Sequence, residues 1–253
     1  MVAIVDLLGV NIHPLSLEEL LKYIHNSILD NRKVTILSGN ARSFIFAQKY
    51  VWYKDYMNKA DIIRIDGNSI RKAIKFLYKT ILPDRITWAD FGWELAKYSR
   101  DNKLSLYFLG GREEILKVAK LKLEIKFKDI RILGYQHGYY NKNKDSRENQ
   151  NVIKNINKLK PDIVIVGFGM PIQEKWLSEN RENIMSPVIL TGGAVFDYLS
   201  GMVKRGPAIL IKMNMEWLGR LIIEPRRLFK RYLFENSEFI YRVLIQKINL
   251  IKK

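Results

Sequence analysis

Two short polar runs, Ser38-Gly39-Asn40 and Asp66-Gly67-Asn68-Ser69, carry the residue types in this chain best suited to chemistry. Each follows a β-prone apolar stretch, at 34–37 and 61–65, and precedes a helical one, at 41–50 and 70–78. A carboxylate at a strand end, such as Asp66, can face a ligand and take a proton from a hydroxyl. The same Asp66-Gly67 pair also reads as a turn whose aspartate caps the next helix, and spacing alone favours that reading. Glycines close the later apolar segments: Gly110-Gly111, Gly134, Gly167 with Gly169, and Gly192-Gly193. Such glycines let a backbone approach a phosphate, and the helix N-termini beyond them favour anions, so a nucleotide is the natural ligand class. No G-x-G-x-x-G fingerprint is present, and glycine after a strand is commonly turn chemistry.

The elements that position these residues alternate regularly. Apolar strands are expected at 104–109, 130–133, 162–166 and 188–190, separated by helical stretches, which is the pattern of a parallel α/β sheet. Upstream, 1–11 is apolar and ends at His13-Pro14, after which Ser16 caps a helix expected to run to about Asp30. The segment 139–151, rich in Asn, Lys, Asp and Ser, reads as an exposed loop or helix start without function.

Composition narrows the partners. The formal net charge is +17, which attracts nucleic acid, a phospholipid surface or phosphorylated substrates. There is no cysteine, which excludes disulfides, thiolate metal sites and cysteine nucleophiles. His13, His25 and His137 are too scattered for a ligand set, and no D-x-D occurs. No apolar run approaches the ~20 residues that span a bilayer. Segment 200–253 holds twelve Lys plus Arg against four Glu. Within it Phe239, Ile240, Val243, Leu244, Ile248 and Ile251 recur at helical steps between basic residues, a pattern suited to lying on a membrane. Arg220, Arg226, Arg227 and Arg231 stand among Trp217, Phe229, Tyr232 and Phe234, where arginines pair with phosphates. The plainer reading packs these helices on the core and leaves the arginines solvated.

Three runs carry a resemblance: 161–176 (PDIVIVGFGMPIQEKW), 191–201 (TGGAVFDYLSG), and Glu216-Trp217 through Glu224-Pro225-Arg226-Arg227-Leu228. With Asn40, Ala60-Asp61 through Asp66-Gly67, and Arg85-Ile86-Thr87, the chain resembles the WecG/TagA/CpsF glycosyltransferase family over nearly its whole length. The resemblance implies a Rossmann-like core of the GT-E type over 1–199, its nucleotide-binding half at about 100–199, and a basic helical membrane-targeting appendage over 200–253. It implies an inverting enzyme that moves a sugar, such as N-acetylmannosamine, from a UDP-sugar to an undecaprenyl-diphosphate-linked acceptor in cell-surface polymer synthesis. Asp66 is then the candidate base, and Ser38, Asn40, Arg85 and Gln173 fall among the other active-site polar positions. Gly110, Gly111, Gly134, Gly167, Gly169, Gly192, Gln173, Glu174 and Asp197 become nucleotide-side candidates, and Arg220, Arg226, Arg227 and Arg231 face the acceptor diphosphate and membrane.

Chemistry of this kind needs one carboxylate and one cationic clamp, roles that Asp66 and Arg85 suit, and neither cofactor nor metal. Ser38 replaces the family's usual threonine, and Asn68-Ser69-Ile70-Arg71-Lys72 and Trp88-Ala89-Asp90 also depart from its pattern, which bears on the donor sugar. The expected location is the inner face of the cell membrane, with self-association when no membrane is present. Basic charge mixed with aromatics also suits a nucleic-acid binder, and the parallel sheet alone suits a nicotinamide-dependent oxidoreductase. The former leaves the glycine-ended strands without a use; the latter lacks its fingerprint.

Overall fold

The computed structural model describes residues 4–82, 84, 86–203, 206–207, 210, 216–223, 225 and 235–252. A two-stranded antiparallel hairpin opens the chain, β1 (Val5–Leu7) and β2 (Val10–Ile12). Its two-residue turn, Leu8-Gly9, has φ of 54° and 74°, the left-handed pair that matches strand twist. Helix α1 (Leu17–Leu29) follows, closed at its start by a reciprocal box in which Ser16 Oγ accepts from Glu19 N and Glu19 accepts from Ser16 N.

The first strand-helix units are β3 (Val34–Gly39), α2 (Ala41–Lys49), α3 (Val51–Lys59), β4 (Ile62–Ile65), α4 (Asn68–Tyr78) and α5 (Trp88–Asp101). Next come β5 (Ser105–Gly110), α6 (Glu113–Lys126), β6 (Arg131–Gln136) and α7 (Arg147–Leu159). The series closes with β7 (Ile163–Gly167), α8 (Ile172–Asn180), β8 (Val188–Thr191) and α9 (Val195–Ser200). Two later helices, α10 (Glu216–Ile223) and α11 (Asn236–Ile251), belong to the basic segment.

Strands β3 to β8 form one parallel sheet in the order β4-β3-β8-β7-β5-β6, a Rossmann-like α/β core. Strands β3, β4, β5, β7 and β8 are buried on both faces, as a parallel sheet between helix layers requires, and edge strand β6 is partly exposed. Alternation divides the interior in two. Leu37, Ile63, Leu109, Val164 and Ile189 pack against α2, α3, α4, α7, α8 and the hairpin. Ile36, Ile62, Phe108, Ile165 and Leu190 pack against α1, α5, α6 and α9. Helix α11 joins the first layer through buried Phe239 and Val243, with Phe239 against Phe44 at 6.2 Å between ring centres.

Because all six strands run the same way, their following loops emerge along one edge, where the candidate residues gather. One expectation changes: Gly134 lies inside β6 and does not end it. A Cβ there would stand 2.9 Å from the Tyr107 ring and 3.1 Å from Leu159, so packing explains this glycine. Among the described residues, no helix is long and apolar enough to cross a membrane.

Candidate active site

Asp66 is the first residue past β4, and its N–H donates to Gly39 O at 2.9 Å, which ties the end of β4 to that of β3. The cap position of α4 is Gly67, at φ 111°, and not Asp66. Its carboxylate lies 3.9 Å from the guanidinium of Arg64, which is 2% exposed. Arg64 donates to Ile86 O and Ser38 Oγ and stands over the adjoining rings of Trp88 and Phe91, at 4.9 and 5.1 Å from their centres. Burial lowers its pKa to about 10, and Asp66 opposes that shift. A cation this costly to bury is held by carbonyl, hydroxyl, ring faces and carboxylate together. Sequence reasoning passed over Arg64; the available signal was a lone charge in the apolar strand Ile-Ile-Arg-Ile.

Ser38 is the register partner of Arg64 across β3 and β4. Its hydroxyl donates to Thr191 O at 3.0 Å and accepts from Arg64 and from Trp88 Nε1 at 3.2 Å, which uses every position a hydroxyl has. Trp88 also donates to Thr191 O at 2.9 Å, and Ser38 N to Thr191 Oγ1 at 3.0 Å. Ser38, 4% exposed, therefore joins β3, β8 and α5 around Arg64. Half-buried Asn40 caps α2, its Oδ1 accepting from Ser43 N at 3.2 Å. Arg85 lies outside the described residues; beside it, Ile86 O reaches Arg64 and Asp84 accepts from Leu17 N.

Two, three and four strand places from β4, the loops after β8, β7 and β5 are built from backbone. A Cβ on Gly110 would meet Gly167 at 2.5 Å, and one on Gly167 would meet Phe196 at 2.8 Å and Gly193 O at 2.9 Å, so these chains touch. Gly169 and Gly193, at φ 82° and 54°, instead have open space where a side chain would stand. Gln173 spans the two loops: its Oε1 accepts from Gly169 N at 3.3 Å and Gly193 N at 3.0 Å. Gly192 packs on Val195 and Ile165, Gly111 O accepts from Gly138 N, and Asp197 lies half-buried in the first turn of α9. The edge thus presents a carboxylate paired with a buried cation at one side and open glycine loops tied together by Gln173 at the other.

Residues 5–253 match the sequence profile of the "Glycosyl transferase WecG/TagA/CpsF family". The chain belongs to this glycosyltransferase family. It is 28% identical, over 226 residues, to an "N-acetylglucosaminyldiphosphoundecaprenol N-acetyl-beta-D-mannosaminyltransferase" of Staphylococcus aureus (strain NCTC 8325 / PS 47). The match covers 88% of this chain and 86% of the relative, and the proteins so named in strains COL and MSSA476 align equally.

In this glycosyltransferase the structure brings Asp66, Ser38 and Asn40 together on neighbouring strand ends, and Gly169, Gln173 and Gly193 on the next pair. Gln173 and Glu174 are both buried, 0% and 1% exposed, with Glu174 on the far side of the Gln173 amide from the loops, and burial raises the Glu174 carboxyl to about 7. Lys142, in the loop expected to lack function, stands at the same edge, its ammonium 4.9 Å from the ring centres of Tyr140 and Phe168 and bonded to Gly138 O. Burial lowers its pKa. His137 accepts from Tyr139 N, a structural role. A separate cleft of about 500 Å³ beside α7, lined by Lys144, Gln150, Lys154, Asn157 and Asn183, contains no candidate residue.

Of the acceptor-side arginines, Arg220 lies on α10 with its side chain outside the description, and Arg226, Arg227 and Arg231 fall outside the described residues. Helix α11 exposes Ile240, Tyr241, Leu244, Ile248 and Ile251 on the side away from Phe239 and Val243. Glu238 on that helix pairs with Lys49 and Arg242, and Lys247 donates to Leu77 O.

Proposed function

We propose that this enzyme transfers a sugar, N-acetylmannosamine or a close relative, from a UDP-sugar to an undecaprenyl-diphosphate-linked N-acetylglucosamine, with inversion and at a membrane surface. The acceptor follows from the names of the relatives, which also specify a β-mannosaminyl product. The observation that carries the proposal is the position of Asp66: on the strand-end edge, beside buried Arg64, two strand places from the Gly193 loop. Two places are about 10 Å, room for a sugar ring between a base and a diphosphate.

Asp66 takes the proton from the acceptor hydroxyl while that oxygen bonds to C1 of an α-linked donor. The C1–O bond to the nucleotide breaks, and UDP leaves with the electron pair. Arg85 and the helix N-termini that follow the glycine loops neutralise its charge. The missing D-x-D supports transfer without a divalent metal. Exposed apolar residues on α11, with Arg242, Lys247 and Lys252 along it, suit contact with an anionic leaflet, where each basic residue contributes about 1 kcal/mol.

The test is reconstitution with UDP-N-acetylmannosamine, an undecaprenyl-diphosphate N-acetylglucosamine analogue and vesicles with and without anionic lipid, following UDP release. Release that needs both substrates, survives chelator and rises on anionic vesicles is expected. Release only with added metal, or none with any UDP-sugar, refutes the proposal.

A further inference from the structure

Gln173 can accept from both Gly169 N and Gly193 N only with its oxygen turned toward the loops. Flipped, the amide would set two N–H donors against an NH2 group. The flip is opposed from behind, where Gln173 Nε2 donates to Glu174 Oε1 at 2.8 Å. Gln173 is 0% exposed and Glu174 1%, so no water competes for that bond.

Glu174 is an expensive residue to place there. Its Oε2 is buried without a hydrogen-bond partner, as is the nearby Tyr56 hydroxyl. An apolar side chain of similar size would fill the site without that penalty. The Tyr53 hydroxyl, also beside the carboxyl, only partly offsets burial. Whether protonated or ionised, Oε1 keeps a lone pair for Gln173.

We propose that Glu174 is a positioning residue, which locks the Gln173 amide so that the loops after β7 and β8 keep the shape that receives the donor diphosphate. The inference rests on the donor-site reading above.

The test uses the full chain with Glu174→Met, Glu174→Gln, Gln173→Met and the double methionine variant, each checked by thermal unfolding. UDP affinity is measured by calorimetry and amide exchange at Gly169 and Gly193 by mass spectrometry. Glu174→Met is expected to weaken UDP binding about tenfold, to raise the donor KM with little change in kcat, and to speed exchange at both glycines. Glu174→Gln, which still offers an oxygen, is expected to restore binding and protection. Because Glu174 acts through Gln173, the double variant is expected to lose little beyond Gln173→Met alone. Additive losses, or Glu174→Gln as weak as Glu174→Met, overturn the lock. If the unaltered protein binds no UDP, the donor reading falls, and exchange at the two glycines still decides the lock.

Discussion

Under the proposed function, the working groups at the β3–β4 side of the edge are side chains: Asp66, the Arg64 guanidinium that faces it, and the Ser38 hydroxyl that fixes Arg64. At the β7–β8 side they are glycine backbone with open space at Gly169 and Gly193, the two loops tied by the neutral amide of Gln173. A proton-transfer site needs a group that changes charge, which only a side chain supplies. A diphosphate site needs several donors in fixed positions, which backbone supplies without side-chain entropy. The two sides should therefore fail differently when altered: the first in turnover, the second in affinity.

The largest expected effect is at Asp66. Asp66→Asn should lower kcat about 10²- to 10⁴-fold with UDP affinity nearly unchanged; steady-state kinetics beside calorimetry checks this, and an equal loss of affinity would erase the distinction between the sides. Next is Arg64→Met, which keeps bulk under Trp88 and Phe91 but leaves Ile86 O and Asp66 without their cation. It should cost about 1–3 kcal/mol of stability and slow turnover without altering UDP affinity, read by denaturant unfolding and kinetics.

On the other side, Gly167→Ala places a methyl 2.8 Å from Phe196 and 2.9 Å from Gly193 O. It should destabilise the protein and weaken UDP binding. Gly193→Ala meets no atom and bears only the left-handed backbone strain, about 1–2 kcal/mol. Equal behaviour of the two variants would show that the loops do not touch as described.

The smallest effect is one of pH. Glu174 has a raised pKa in the fold, so its stabilising contribution is complete below its unfolded value and is lost as pH rises toward about 7. Around it stand Tyr53 and Tyr56 of α3, with Arg42 acting on the former and Arg181 and Asp61 on the latter; both tyrosines are held protonated by burial. Melting temperatures between about pH 5 and 8 should fall less steeply for Glu174→Gln than for the parent chain.

Much of the scaffold was legible because local signals agreed with it. Ser16 and Glu19 foretold the start of α1, and the apolar runs foretold β3, β5, β7 and β8 within a residue or two. The hairpin was not, since Leu8-Gly9 lacks the Asn or Asp that commonly marks such a turn. Helix α3 escaped notice because only Tyr53 and Met57 of its nine residues are buried. Within the site, Asp66 could be found from the family resemblance and Gly193 from its motif. Arg64 could not, because its role follows from register: sheet pairing alone sets it opposite Ser38 and beneath Trp88. Glu174 was legible as a nucleotide-side position, but its burial behind Gln173 was not, since the face that a short helix buries depends on what packs against it.

The attachment of α11 bears on how the chain is made. Gln246 bonds Leu8 N and Asp6 Oδ1, partners 238 and 240 residues earlier, and Phe239 covers Phe44. During synthesis from the N-terminus, every strand leaves the ribosome before this helix does. The patch around Phe44 and the hairpin thus stays open to solvent, and to chaperones, until the last turns of α11 emerge and close it.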